Sequence, residues 1–254
     1  MAMLDRDGVR IYYEDHGQGP AVLLSHGFGA TSEMWRGQVE AFKDRYRVIV
    51  WDMRGHGRSD YPEDQALYST AHTVADMRAL LEACGVERAV IAGLSLGGYS
   101  SLAFHLAHPE MVRALMLFDT GPGFRRDEPR EAWNQRARER ADAFESQGLA
   151  AQSASEERKV STHRNAEGLA RAARGMLTQQ DARVIESLEG IAVPTLVLAG
   201  ADDTPFLPAI DYMAATIPGA AKVIIPGAGH ASNLHQPEAF NRAMADFLGG
   251  LPAA

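Results

Sequence analysis

Short, continuously apolar runs recur along this chain, and they constrain its fold more than any other feature. In the first half, most of these runs are followed by a stretch with helical periodicity. Strands that are apolar at consecutive positions are buried on both faces, as in a parallel sheet covered by helices. The runs occupy residues 9–13, 21–24, 47–51, 89–92, 114–118, 195–199 and 221–225. We therefore expect a doubly wound α/β fold with a mostly parallel sheet.

The helical pattern is clearest at residues 70–83 and 237–248, where apolar side chains fall on one face. Segment 124–190 breaks the alternation, because it shows charged, alanine-rich helical stretches and no convincing strand. We predict one core domain made of residues 1–123 and 191–254, with 124–190 as a helical lid before the penultimate strand. A long crossover connection is the alternative.

Composition argues against several classes of partner. The chain has 254 residues, a formal net charge of −8 and no evident basic patch, which disfavours nucleic acid and anionic membranes. Its single cysteine, Cys84, cannot form an intramolecular disulfide and suits a reducing compartment. We see neither a signal peptide nor an apolar run approaching ~18 residues, so we predict a cytoplasmic protein with no membrane partner. The oligomeric state stays open.

Residues 93–97 read Gly-Leu-Ser-Leu-Gly and lie between a predicted strand and a helical run that begins near Tyr99. The flanking glycines permit a sharp strand-to-helix turn, because they bring no Cβ into it. Such a turn exposes the Ser95 hydroxyl above the sheet and points the helix N-terminus toward a developing negative charge. The pattern therefore indicates a nucleophilic serine, with a plain glycine-rich loop as the alternative.

Polar residues directly follow most of the predicted strands. Parallel strands end at one edge of the sheet, and folds of this kind bind ligands there. The segments after the strands are 25–29, 52–59, 93–97, 119–121, 200–204 and 227–230. Together they would bring a serine, several carboxylates and a histidine to that edge, which favours catalysis.

Five of these segments together resemble the α/β-hydrolase family, most closely its small bacterial esterases, enol-lactonases and cofactor-free haloperoxidases. They are His-Gly-Phe-Gly from His26, Asp-Met-Arg-Gly-His-Gly-Arg-Ser from Asp52, Gly-Leu-Ser-Leu-Gly-Gly from Gly93, Gly-Ala-Asp-Asp from Gly200 and Gly-His at His230. The resemblance covers nearly the whole chain except the predicted lid. It implies an α/β-hydrolase fold and says little about the substrate.

The resemblance also implies the roles of individual residues. The family's chain order of serine, acid and histidine matches Ser95 as nucleophile, Asp203 as acid and His230 as base. Asp202 and Asp119 remain alternatives for the acid. The oxyanion hole would use the backbone N–H groups of Phe28 and Leu96.

The remaining histidines give no metal-ligand spacing, and no Gly-x-Gly-x-x-Gly motif follows the first strand. We therefore expect neither a metal nor another cofactor. His26 and His56 are interpreted as residues that hold local turns.

Several aromatic and apolar residues are candidates for the wall of a substrate pocket. Candidate lining residues, each of which could equally belong to the core, are Trp35, Tyr99, Phe124, Trp133, Met176, Leu177 and Phe206. No charged residue is clearly placed to select a charged substrate. We expect a small to medium, fairly apolar small molecule.

The predicted function is hydrolysis of a carboxylic ester or lactone through an acyl-enzyme on Ser95. Two alternatives share the same three residues: carbon–carbon bond hydrolysis of ring-cleavage products, and cofactor-free perhydrolysis. Epoxide hydrolase and dehalogenase chemistry is disfavoured, because those relatives carry Asp where this chain has Ser95. A non-catalytic ligand receptor is the alternative from a different class.

Overall fold

A computed structural model describes residues 2–152 and 155–252, in which eight strands form one sheet. The strands are β1 (Ala2–Arg6), β2 (Val9–His16), β3 (Ala21–Ser25), β4 (Arg47–Trp51), β5 (Ala89–Leu94), β6 (Val112–Phe118), β7 (Thr195–Gly200) and β8 (Ala221–Ile225). Their order across the sheet is β1-β2-β4-β3-β5-β6-β7-β8. β2 pairs antiparallel with β1 and β4, and every other pairing is parallel.

This arrangement confirms the predicted α/β fold with a mostly parallel sheet. β3 and β5 lie inside the sheet and are buried at every position, which explains their continuous apolar sequences. Strand β1 was not predicted from the sequence. This strand lies at the sheet edge and is mostly exposed, so it has no apolar run that could have identified it.

Helices cover both faces of the sheet. They are α1 (Arg36–Phe42), α2 (Thr70–Ala83), α3 (Leu96–Ala107), α4 (Asp127–Gln147), α5 (Glu156–Lys159), α6 (Ala166–Ala172), α7 (Arg183–Glu186), α8 (Leu207–Thr216), α9 (Ser232–His235) and α10 (Pro237–Gly249). Single turns of 3₁₀-helix occupy Ser32–Trp35, Gln65–Leu67, Pro109–Met111, Gly148–Ala151 and Leu188–Gly190, and a π-helical turn spans Ala173–Leu177. In the part of the chain described, no helix has both the length and the apolarity to cross a bilayer.

The core has two layers, one on each face of the sheet. One layer joins alternate strand residues such as Leu23 and Ile91 to helices α2 and α3. The other joins the intervening strand residues, such as Val22 and Val90, to α1 and α10. Because both faces are covered, the sheet opens to ligands only at its edges, and the carboxyl ends of the parallel strands form the edge that carries the polar segments.

Between β6 and β7 the described residues form helices α4 to α7 and no strand. Helix α4 buries only Ala137, Ala141 and Phe144 and exposes its charged face. The Phe144 ring meets the Phe28 ring in an edge contact at 6.0 Å between centroids, so α4 reaches the loop that follows β3. The helical segment therefore lies over the carboxyl edge of the sheet. Its treatment as a lid with boundaries at 124 and 190 stays a prediction.

Candidate active site

Ser95 occupies the turn between β5 and α3 with a strained backbone, at φ 55° and ψ −114°. A side chain other than glycine rarely adopts this region, and such strain persists only where the surroundings hold it. Here the Ser95 N–H donates to the carbonyl of Phe118 at 2.9 Å. The Ser95 carbonyl accepts from the Thr120 hydroxyl at 2.7 Å and from the Tyr99 N–H at 3.0 Å. These bonds fix the serine above the sheet.

The glycines around Ser95 are required by close approach of the backbone. A Cβ added at Gly93 would overlap the backbone of Gly97. A Cβ added at Gly97 would in turn overlap the carbonyl of Ser25 at the end of β3. The motif is therefore a packing requirement of the strand-to-helix turn, as the sequence argument expected.

His230 and Asp203 are hydrogen-bonded to each other, with His230 Nδ1 2.9 Å from Asp203 Oδ2. The carboxylate accepts, so Nδ1 carries the proton and Nε2 is left with its lone pair. Burial alone would lower the pKa of His230, but the hydrogen bond and charge of Asp203, together with the charges of Asp119 and Glu157, outweigh it and raise that pKa above 6.5. The imidazole also packs against the ring of Phe206, with 4.8 Å between the ring centroids and 31° between the ring planes.

The two alternative acids lie elsewhere. The Asp202 side chain is exposed to solvent. Asp119 is fully buried, and its oxygens accept from the N–H of Gly200 at 2.8 Å and from the Ser232 hydroxyl. Burial raises the pKa of Asp119 to about 7, against the lowering effect of these two hydrogen bonds. Of the three candidates, only Asp203 contacts the His230 ring, while Asp119 ties the end of β6 to β7 and to the segment after His230.

Three neutral histidines hold the loop at 26–29. Each accepts from a backbone N–H on one ring nitrogen and donates to a backbone carbonyl with the other, and these partners fix its tautomer. His26 accepts from Met53 at 2.9 Å and donates to Gly27 at 2.7 Å. His56 accepts from Gly29 at 3.1 Å and donates to the carbonyl of Arg54 at 3.0 Å. The local roles expected for His26 and His56 agree with these contacts.

His163 is the third of these histidines and was not singled out from the sequence. It accepts from the Gly57 N–H at 3.2 Å and donates to the Gly29 carbonyl at 3.0 Å. Burial lowers the pKa of all three imidazoles, that of His26 to about 4. No local pattern marks His163, because its partners lie more than one hundred positions away in sequence.

The two expected oxyanion donors, Phe28 and Leu96, both belong to segments that lie next to Ser95. Leu96 is the first residue of α3, so its N–H has no acceptor within the helix. Phe28 lies in the loop held by the three histidines and lines a cavity together with Ser95 and His230. The structure thus brings both backbone segments to the serine.

Two cavities open at Ser95. The first, the apolar cavity, measures about 580 Å³ and contains Ser95 and Leu96 but not His230. Six of the seven expected pocket residues line it, namely Tyr99, Phe124, Trp133, Met176, Leu177 and Phe206. The expectation for Trp35 is wrong. Trp35 has no exposed surface and packs against Phe118 and Phe240. It directly precedes α1 and therefore belongs to the core layer between the sheet and helices α1 and α10.

The second, the arginine cavity, measures about 440 Å³ and contains Ser95, His230 and Phe28. Its remaining wall includes Arg136 and Arg140 from α4, and Glu157 and Arg158 from α5. These charged residues near the expected substrate site were not predicted from the sequence. In the sequence these arginines belong to charged helical stretches, which are typical of a solvent-facing surface, and only the position of the helices over the sheet reveals them. No grouping of potential metal ligands occurs among the described residues.

Comparison with known proteins agrees with this geometry. Residues 20–168 match the family model described as alpha/beta hydrolase fold. Over 90% of its length the chain is 30% identical to 3-oxoadipate enol-lactonase 1 of Acinetobacter baylyi, covering 88% of that protein.

Two solved structures of hydrolases are also similar to this chain over nearly its full length. A thermophilic esterase from Thermogutta terrifontis is 30% identical with a TM-score of 0.82, over 98% of this chain and 97% of that one. A hydrolase from Pseudomonas aeruginosa is also 30% identical, with a TM-score of 0.81 and 98% of each chain covered. By sequence, by fold and by the strand-to-helix turn at Ser95, the chain belongs to the α/β-hydrolase family.

Proposed function

We propose that this enzyme hydrolyses a carboxylic ester or lactone through an acyl-enzyme on Ser95. One observation carries the proposal: the strained turn places Ser95 on the same cavity wall as His230, whose ring is hydrogen-bonded to the buried Asp203. A serine, a histidine with a free Nε2 and an orienting carboxylate are the parts of a nucleophilic triad. The names of the esterase and the enol-lactonase among its relatives support the same reaction type.

In the first half of the reaction, Ser95 Oγ attacks the carbonyl carbon and passes its proton to His230 Nε2. Asp203 holds the opposite ring nitrogen and stabilises the imidazolium that forms. The imidazolium then returns the proton to the leaving alcohol oxygen, and the carbon–oxygen bond breaks. In the second half, His230 takes a proton from water, whose oxygen attacks the acyl carbon. The bond between that carbon and Ser95 Oγ then breaks, and His230 returns the proton to Oγ as the acid leaves.

The negative charge on the carbonyl oxygen would be bound by the N–H groups of Phe28 and Leu96. Loss of one such donor typically costs about 10²- to 10³-fold in turnover. Hydrogen bonds from and to buried histidines hold the loop at 26–29, which favours donors that are already in place before the reaction. The apolar cavity of about 580 Å³ provides room for a small to medium acyl group.

The proposal is tested with 4-nitrophenyl esters from acetate to octanoate. Ser95→Ala is expected to lower kcat by about 10⁴-fold or more, because without the nucleophile no acyl-enzyme forms. Ser146→Ala, on the exposed face of α4, is the matched control and keeps the wild-type rate. Hydrolysis that survives in Ser95→Ala would overturn the proposal. A folded wild type that cleaves none of these esters and is not labelled by diethyl 4-nitrophenyl phosphate would favour the receptor alternative.

A further inference from the structure

The arginine cavity shares Arg136 with the apolar cavity, to which Arg125 adds one further guanidinium. The arginine cavity adds two, Arg140 and Arg158, and Glu157 is the single carboxylate on its wall within the described ranges. The chain as a whole has 33 acidic and 25 basic side chains, so a concentration of arginines is not a general property of its surface. The cavity is locally positive in an acidic protein.

Two of these arginines lie directly on the loop that carries the proposed oxyanion donor. The Arg140 guanidinium carbon is 5.4 Å from the centroid of the Phe28 ring, a cation–π distance. The Arg158 guanidinium covers Gly29, since a Cβ added there would lie 3.2 Å from Arg158 Nε. An anion held between these side chains would therefore lie close to the reacting carbonyl.

The arginines of helix α4 differ in whether they form an ion pair. Arg130 and Arg138 form ion pairs with Asp127 and Glu131. Arg136 and Arg140 take part in no ion pair formed by residues 2–152 and 155–252. Glu157 is only 7% exposed and shares the cavity wall with them, but it is not paired with either. Among the described residues, the charges of Arg136 and Arg140 are therefore not balanced by an ion pair.

The pKa values of Arg140 and Arg158 also favour an anion in the arginine cavity. Burial and the charge of Arg140 lower the pKa of Arg158 to about 10, although Glu157 opposes this. Burial also lowers the pKa of Arg140, again against the effect of Glu157. Guanidinium groups that are partly desolvated and repel each other gain stability from an added anion.

His230 decides which end of the substrate faces these arginines. It lines the arginine cavity and not the apolar cavity. Because His230 returns a proton to the leaving oxygen, the alcohol side of an ester must lie next to it. The acyl side then extends into the apolar cavity, toward Phe124 and Met176.

We propose that the arginine cavity binds a carboxylate carried on the alcohol side of the ester or lactone, with Arg140 as its main partner and Arg136 and Arg158 beside it. Guanidinium groups bind carboxylates through paired N–H donors. Glu157 favours a singly charged carboxylate over a dianionic phosphate, because it repels the second negative charge. The inference rests on the proposed function and names its substrate class: an ester or lactone with an apolar acyl part and an anionic alcohol part.

The test compares two butyrate esters that differ only in charge, those of 4-hydroxybenzoate and of 4-hydroxybenzamide. The wild type is expected to favour the benzoate ester in kcat/KM by at least about tenfold. Arg140→Gln is expected to lower this ratio at least about tenfold, and Arg140→Lys to retain part of it. Arg138→Gln removes an arginine from the same helix outside the cavity, so the ratio and the rates stay at wild-type values.

A binding measurement in Ser95→Ala separates this inference from the hydrolase proposal. Trp133 lines the cavity, whereas Trp35 and Trp51 are fully buried, so its fluorescence reports on occupancy. Titration with 4-hydroxybenzoate is expected to give a saturable change that 4-hydroxybenzamide and the added Arg140→Gln substitution both abolish.

The possible failures are distinguishable. Ser95-dependent cleavage of both esters with equal kcat/KM, and no saturable benzoate signal, would overturn the carboxylate site and leave the hydrolase intact. Arg140-dependent benzoate binding without cleavage of either ester would support the anion site and contradict the ester reaction.

Discussion

His163 and Gly29 lie 134 positions apart in the sequence, yet His163 Nε2 donates to the Gly29 carbonyl at 3.0 Å. The same carbonyl also accepts from the Gln152 side-chain amide at 3.0 Å. Both donors belong to the helical segment between β6 and β7, and their acceptor belongs to the loop that carries Phe28. The position of that segment is therefore coupled to the geometry of the proposed oxyanion hole.

Replacement of His163 tests this coupling. His163→Ala leaves the Gly57 N–H and part of the Gly29 carbonyl without partners, so we expect the free energy of unfolding to fall by about 1–3 kcal/mol. We also expect kcat for 4-nitrophenyl butyrate to fall about tenfold or more, because a displaced donor binds the oxyanion poorly. His163→Gln can accept and donate at similar positions and should restore part of kcat. A loss of stability with unchanged kcat would show that the contact is only structural.

The pH profile should report His230. The pKa of His230 is raised above 6.5, and the protonated ring cannot act as a base. We therefore expect kcat/KM to fall as the pH drops through this raised pKa. Asp203→Asn removes the hydrogen-bonded charge that favours the imidazolium, and the acidic limb should therefore move to lower pH. The same variant should lose about 10⁴-fold in kcat, because the imidazole is then held in the wrong tautomer. An acidic limb that stays in place in Asp203→Asn would contradict this assignment.

The Asp119→Asn variant tests whether Asp119 or Asp203 is the functional acid. Asp119 has a pKa of about 7 in the folded protein against 3.8 ordinarily, so its protonated form is favoured on folding. That stability is fully present below about pH 4 and is lost as the pH rises through about 7. Asparagine keeps an acceptor for Gly200 and cannot ionise, so urea unfolding should depend less on pH between 4 and 8. A decrease in kcat as large as that of Asp203→Asn would make Asp119 the functional acid.

Two glycine-to-alanine changes test the packing of the serine turn. At Gly97 the new methyl group would overlap the Ser25 carbonyl, and we expect a loss of about 1–3 kcal/mol or more in stability, with loss of activity. At Gly37, in helix α1, nothing lies within 4 Å of the new atom, and we expect a gain of about 0.5–1 kcal/mol. Thermal unfolding of both variants checks the pair. Equal effects would show that close approach does not constrain Gly97.

The sequence predicts the buried sheet of this molecule better than the contacts of the helical segment between β6 and β7. Buried parallel strands such as β3 and β5 can be recognised from their continuous apolar sequences, whereas the exposed edge strand β1 has no such sequence. The Ser95 turn is also visible in the sequence, because its glycines follow from local backbone geometry.

Other features depend on tertiary placement. The sequence does not show which core layer contains Trp35, so it could not exclude Trp35 from the pocket. His163 and Arg140 act across more than one hundred positions, and no local pattern distinguishes them from surface residues. The hydrogen-bond partners that distinguish Asp203 from Asp119, a histidine ring for the first and a backbone N–H and a serine hydroxyl for the second, likewise depend on tertiary placement.

The most direct test of the central claim is to trap the covalent intermediate. Wild-type enzyme mixed with 4-nitrophenyl butyrate and quenched in acid within the first turnovers should gain the mass of one butyryl group, and peptide mapping should place it on Ser95. Ser95→Ala should gain none. A wild type that turns over the ester without any adduct, or with the butyryl group on another residue, would contradict the role of Ser95 as nucleophile.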